Sequence, residues 1–303
     1  MEDQTSLEPA RLSTAAGRST QARRSGNSWP AAVRLEGFAN LAHELRTPLQ
    51  VLLGYLDILR DRSTGWSEGS VAEARQIFDR MNVSALELAQ TVENLMEFAT
   101  AEPDGCSRVE EQVALPDLIT ELMPIFEAAN QCKRLALNFE LEDAPLRIRS
   151  QRRPIRLILL NLVLNAIKFT AAGMVTVSVR PLHPIDGRRQ GIEIGVSDTG
   201  TGISPAQIAW LCRPFTQLSH ATTRRYRGVG LGLAVVRRNV AALDGELEAC
   251  STPGAGSVFT VRIPEALAQA ATAASDRERT AGRAVQRNVT MQLVLWPWRL
   301  PLG

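Results

Sequence analysis

At 303 residues and 45% hydrophobic content, the chain is long enough for one large domain or two ordinary ones. A formal net charge of +2 offers no basic excess for nucleic acid, and four scattered cysteines without a CxxC pair speak against a disulfide framework or a zinc site, so a reducing cytoplasm is the expected compartment. No apolar run approaches the ~18 residues of a transmembrane segment, and no signal-peptide pattern opens the sequence.

Residues 1–30 are rich in Ser, Arg, Ala, Gly and Gln with little apolar periodicity, which predicts a disordered arm. The texture changes at Leu35. Leu35, Phe38, Ala42, Leu45, Leu49, Leu52, Leu56 and Leu59 step by alternating three and four, the a/d seam of a long helix. "DRSTGWSEGS" interrupts with Gly, Ser and Thr. A second seam runs through Val71, Ala74, Phe78, Met81, Ala85, Leu88, Val92, Leu95 and Ala99. Two long helices with a short connection predict an all-α helical hairpin over residues 31–101. Pairing two hairpins into a four-helix bundle closes the open seams, so a homodimer is expected.

"AEPDGCS" ends the helical region, and residues 107–265 read as mixed α and β. "LPDLITELMPIFEAANQC", "PIRLILLNLVLNAIKFT" and "GLGLAVVRRNVAALDG" predict helices. "LALNFELE", "MVTVSVRPL", "GIEIGVSDTG", "ELEACST" and "SVFTVRIP" predict strands. Together they predict an α+β sandwich, one mixed or antiparallel sheet under a helical layer. Residues 266–303 become rich in Ala, Arg and Thr and end in "LVLWPWRLPLG". That tail is either a disordered terminus or a segment that docks on a partner or a membrane surface.

His43 is one of three histidines and directly follows the seam residue Ala42, so its ring is expected on the flank of the bundle, facing solvent. Pro48 lacks an N–H and clashes with the carbonyl of Glu44, which predicts a bend beside the histidine. Further on, Asn161 and Asn165 share one helix face, and Lys168 lies three residues beyond on the same side. These amides are either satisfied by buried neighbours or form a site. Amide oxygens are hard ligands suited to magnesium, and a lysine supplies a point charge for phosphate. Lys168 is informative because, of 34 lysines and arginines, only Lys133 and Lys168 are lysines. Asp198 ends a strand, and Gly200 and Gly202 free the backbone after it. The carboxylate there either accepts a hydrogen bond from an exocyclic amine or belongs to an ordinary turn. Gly228, Gly230 and Gly232 precede a helix, where backbone N–H groups approach phosphate. The intervening "QLSHATTRRYR" reads as a mobile lid whose Arg224 and Arg225 meet phosphate.

In this order, "HELRTPL", "NLVLNAIKFT", "DTGTGI", "RPF" and "GVGLGL" resemble the sensor histidine kinases of two-component signalling, across residues 35–264, roughly three quarters of the chain. The resemblance implies a HisKA-type dimerisation and phosphotransfer domain, then an ATP-binding domain of the gyrase-type (Bergerat) fold. It implies His43 as phospho-acceptor, with Glu44 taking a proton or orienting the ring, and Thr47 tied to dephosphorylation of the partner. Asn165 is implied as the Mg2+ ligand, assisted by Asn161, and Lys168 as a phosphate contact. Asp198 is implied to read adenine, and Gly200, Gly202, Arg224, Arg225, Gly228, Gly230 and Gly232 to close over ATP. The implied partner is the receiver domain of a separate response regulator, whose aspartate takes the phosphoryl group.

The sequence departs from the family pattern at several places. Gln151 replaces an aspartate, Pro154 an arginine, Cys212 an aromatic residue and Arg213 an acidic one. Arg227 and Val229 replace a glycine and a threonine. None removes a residue that the chemistry requires. The alternatives are a non-catalytic dimeric scaffold that binds nucleotide and sequesters a response regulator, or a serine kinase or ATPase of the same superfamily; the HELRTPL box argues against the last. The arm before residue 31 is shorter than a usual sensor domain, so the stimulus is expected from another protein or from a sensor outside this sequence.

Overall fold

The two heptad seams fold as α1 (Ala31–Arg62) and α2 (Ser70–Ala99), an antiparallel helical pair. The computed structural model describes residues 10–14, 31–62, 70–99, 110–142, 146–182, 190–208, 210–211, 214 and 230–265. All of them lie within the unit Met1–Ala266; the tail of residues 266–303 is outside the described residues. α1 runs through Pro48, which is buried. Proline leaves the Glu44 carbonyl without its intrahelical donor, and the Thr47 hydroxyl bonds to the His43 carbonyl at 3.0 Å. Arg80 donates to the Tyr55 hydroxyl at 3.2 Å and ties α2 to α1. Each seam is covered on one side only: Leu45, Leu52, Met81, Leu88 and Leu95 are half-buried. Leu49, Leu56 and Phe78 remain 47%, 50% and 54% exposed.

The remainder of the chain builds the sandwich. Its elements are β2 (Glu111–Ala114), α3 (Leu115–Asn130), β3 (Ala136–Leu141), β4 (Arg147–Ser150), α4 (Arg152–Phe169), β5 (Met174–Leu182), β6 (Gly191–Asp198), α5 (Pro205–Ile208), α6 (Gly232–Ala242), β7 (Glu246–Thr252) and β8 (Gly256–Pro264). With β1 (Ala10–Thr14), six strands form one sheet in the order β1-β7-β8-β6-β5-β3. All neighbours are antiparallel except β3 and β5. A parallel pair needs a long crossover, and the segment holding β4 and α4 supplies it.

Strand alternation sends Val175, Val177, Ile192, Ile194, Val196, Leu247 and Val261 into one buried core. The helical layer meets them with Leu118, Leu122 and Phe126 of α3, with Val236 and Val240 of α6, and with most of α4. α4 is buried from Leu157 through Leu164 without a break, which explains why its apolar residues fill nearly every position rather than one stripe.

Two features differ from the sequence reading. Ala10–Thr14 were expected in a disordered arm, yet they pair with β7 from Ala10↔Ser251 to Thr14↔Leu247. An open strand edge accepts any short extended segment through backbone groups alone, so no apolar pattern is needed. β2 and β4 form a second, two-stranded sheet with Glu111↔Ser150 at one end. Four residues apiece are too few for alternation to be read. Among the described residues, no helix is long and apolar enough to cross a membrane.

Ile158 is fully buried on α4. Ile158→Ala is expected to cost about 2–5 kcal/mol through lost burial and the cavity left behind, measured as a fall in the urea midpoint. A loss below about 1 kcal/mol would contradict the placement of α4 at the centre of the core.

Candidate functional site

The site grows from the C-terminal end of a buried helix. The last four carbonyls of an α-helix have no intrahelical partner beyond what the capping residue offers. In α4 each of them is met. The Ala166 carbonyl accepts from the Thr170 N–H at 3.1 Å and from its hydroxyl at 2.7 Å. Lys133 Nζ donates to Ile167 O at 2.7 Å and Lys168 O at 2.6 Å, and also to Thr170 O at 2.9 Å. The Phe169 carbonyl accepts from the Thr201 N–H at 3.4 Å. The end of the asparagine helix is thereby joined to the loop that follows Asp198.

Asn161 is fully buried, its Nδ2 donating to Leu157 O at 2.9 Å and its Oδ1 accepting from Gln90 Nε2 at 3.3 Å. Both ends of that amide are therefore engaged, and Asn161 acts here by packing. Asn165, one turn on, is half-buried. A Cβ added at Gly232 would lie 3.0 Å from Asn161 Oδ1 and 3.4 Å from Asn165 Nδ2. Glycine at 232 thus lets the first turn of α6 stand directly against the two amides. That turn has no side-chain cap, so its N–H groups are available to an anion. Lys168 is half-buried, with its ammonium 3.9 Å from a Glu87 carboxylate oxygen.

Asp198 closes β6, paired with Val175 on one side and Ser257 on the other. It is 9% exposed, and its Oδ1 accepts the Gly200 N–H at 2.8 Å. Burial pushes its carboxyl above the usual range, partly offset by hydrogen bonds from Gly200 and Ser257. A Cβ at Gly200 would meet the Phe169 carbonyl at 2.6 Å. At Gly202, where φ is +63, it would meet the Thr252 carbonyl at 2.0 Å. These glycines are required by close backbone approach as well as by the turn.

α2 lies across the same face. Arg156 pairs with Glu93 and Arg153 with Glu97, both at 3.1 Å, and the Arg238 guanidinium donates to the Glu97 carbonyl. The apolar centre of this contact is Leu231, 1% exposed, against which Leu45, Leu95 and Phe98 pack. Leu45 stands two residues from His43, whose side chain is exposed together with that of Thr47, while Glu44 is half-buried. The helix turn bearing the histidine and the entrance of α6 therefore share one apolar contact. Arg224, Arg225 and Gly228 lie outside the described residues. The sequence reading missed Lys133 as a cap, although its rarity as a lysine was a signal. It also missed Gln90 and Glu93 on α2, for which spacing alone gave none.

Two family models match the chain. Residues 34–104 match the His Kinase A (phospho-acceptor) domain, and residues 150–267 match the histidine kinase-, DNA gyrase B- and HSP90-like ATPase. Histidine protein kinase DivJ of Caulobacter vibrioides is 34% identical over 78% of this chain and 38% of its own length. Sensor histidine kinase RcsC of Escherichia coli is 30% identical over 75% of this chain and 23% of its own. The chain thus spans well under half of these curated relatives. Among solved structures, full-length ShkA in complex with AMPPNP superposes with a TM-score of 0.50 at 27% identity, covering 76% of this chain and 46% of that one.

Because the folded carboxyl of Asp198 titrates above its unfolded value, its contribution to stability is present below the ordinary carboxylate range and is lost as pH rises through the raised value. Asp198→Asn keeps the oxygen that accepts from Gly200 and removes this loss. Its melting temperature at neutral pH is expected to equal or exceed that of the native chain, and, were Asp198 the adenine contact that the resemblance implies, ATP affinity would fall by about tenfold or more. Calorimetry and ATP titration check both; unchanged ATP affinity would mark the Asp198 loop as an ordinary turn.

Proposed function

This chain belongs to the sensor histidine kinases, and from that membership we propose that it is an ATP-dependent protein-histidine kinase that phosphorylates its own His43 and passes the group to an aspartate on the receiver domain of a response regulator. The observation that carries the reading is the shared contact at Leu231: it joins the glycine-opened start of α6 to the helix turn that bears His43.

ATP is held with its adenine at Asp198, and its phosphates meet the first turn of α6, Asn165 and Lys168. The residues fit a magnesium ion, since Asn165 offers a hard amide oxygen and, unlike the fully buried Asn161, is only half-buried. When bound, magnesium neutralises charge on the phosphates. The unprotonated ring nitrogen of His43 attacks the γ-phosphorus. An N–P bond forms, the bond from phosphorus to the bridging oxygen breaks, and ADP leaves with that electron pair. The proton on the other ring nitrogen passes to the carboxylate of Glu44, which otherwise orients the ring. The apolar side of the hairpin left open at Leu49, Leu56 and Phe78 is covered by a second copy in a four-helix bundle, because water-exposed leucines on a heptad seam gain most from an identical partner. With no membrane-crossing helix among the described residues, a cytoplasmic site of action fits the receiver partner.

Incubation with labelled ATP and magnesium tests the reading. His43→Gln is expected to bind nucleotide normally and take no label, and Asn165→Ala to lose labelling while the oligomer persists. Label retained by His43→Gln would refute the assignment, because His183 and His220 stand outside the box.

Thr47 carries a second activity in this proposal, dephosphorylation of the receiver by positioning a water. The alternative is a purely local role, because the Thr47 hydroxyl bonds back to the His43 carbonyl beside Pro48. Thr47→Ala is expected to label His43 and transfer as before while the phosphorylated receiver persists. Decay as fast as with the native chain would remove that role.

A further inference from the structure

We propose that Lys133 is a positioning residue for the phosphate end of the nucleotide: by gathering three carbonyls at the close of α4, it fixes the backbone from which Lys168 reaches the phosphates. The proposal rests on the kinase reading of the site and adds to it a residue from a different part of the fold. Lys133 lies in the turn between α3 and β3, some thirty-five residues before the carbonyls it meets.

That turn is built to hold it. Asn130 Nδ2 donates to Leu135 O at 2.8 Å, and Asn130 Oδ1 accepts the Leu135 N–H at 2.8 Å, so one amide side chain brackets the turn. The Lys133 N–H bonds to Asn130 O at 2.9 Å, and Arg134 takes a left-handed conformation with φ 55. From this anchored backbone, the ammonium reaches Ile167 O, Lys168 O and Thr170 O at 2.6–2.9 Å. An ammonium has three donors that diverge from one point, which matches three converging carbonyls; a guanidinium presents a flat fork and does not. This explains a departure in composition. The chain uses arginine at nearly every basic position, and its only two lysines stand at this one helix end.

A cation at a helix C-terminus also opposes the negative end of the helix dipole. The place is costly for a charge: burial, and then the neighbouring Lys168, lower the affinity of Lys133 for its proton. The three carbonyls, with the Glu87 carboxylate nearby, oppose that cost. Their release would free the last turn of α4. Lys168 is part of that turn, and Phe169, whose carbonyl meets Thr201, follows it.

A double-mutant cycle on the full chain tests the role, with Mg-ATP affinity as readout and the melting temperature recorded alongside. If Lys133 acts by aiming Lys168, Lys133→Met weakens Mg-ATP binding about tenfold in the native background and less than about twofold in a Lys168→Met background, because coupled residues are not additive. Lys133→Arg is expected to behave like Lys133→Met, since charge without the three-donor geometry does not serve. A loss of equal size in both backgrounds would show a general structural effect and overturn the proposal, as would native affinity in Lys133→Met. Should Lys133→Met not fold, Lys133→Gln, which keeps two donors, carries the same comparison. A native chain that binds no Mg-ATP contradicts the kinase reading itself, whereas native binding with an unaltered variant contradicts only the role of Lys133.

Discussion

A helix buried on almost every side has to find partners for its polar groups inside the protein, and α4 is that helix. Its side chains from Leu157 to Leu164 are withdrawn from water, so the buried Asn161 amide and the closing carbonyls are answered by specific neighbours. Those neighbours come from every part of the fold: Gln90 from the hairpin, Lys133 from the turn after α3, and Thr201 from the loop after Asp198. A single buried helix thereby fixes the relative positions of the Asp198 loop, the asparagine pair and the start of α6.

The hairpin meets this assembly through a contact of mixed strength. Its ion pairs, Glu93 with Arg156 and Glu97 with Arg153, are partly exposed, and such pairs contribute roughly 0–1 kcal/mol each. Leu231 with Leu45, Leu95 and Phe98 supplies the apolar part. Such a contact is firm enough to bring the histidine's turn to α6 and weak enough to be exchanged. Exchange is needed in the proposed mechanism, because Glu87 sits beside the Lys168 ammonium that phosphates approach. In that mechanism Glu87 and the phosphates compete for one ammonium.

Much of this was legible in the sequence, and for identifiable reasons. Heptad spacing, helix-wide burial and strand alternation are dense signals, so α1, α2, α4 and the central strands could be read from composition and period. Asp198, Asn161 and Asn165 stood out as polar residues where the pattern called for apolar ones. The rest rested on contacts distant in chain order. β1 is held by backbone pairing to β7, for which side chains leave no mark. The capping of α4 by Lys133 spans β3, β4 and nearly all of α4 in chain order, and only the scarcity of lysine hinted at it. That Asn161 is committed to Leu157 and Gln90, while Asn165 one turn on is only half-buried, required the three-dimensional arrangement.

The central claim is that this arrangement delivers the γ-phosphoryl group of ATP to a histidine on α1. The most direct measurement is mass mapping of the full chain after incubation with Mg-ATP, with digestion kept at alkaline pH so that a phosphoramidate survives. The expected result is a single phosphoryl group on the peptide that contains His43, absent when ATP is replaced by ADP. A phosphoryl group found instead on serine or threonine, or ATP consumed with no phosphoryl group on the protein, would contradict it.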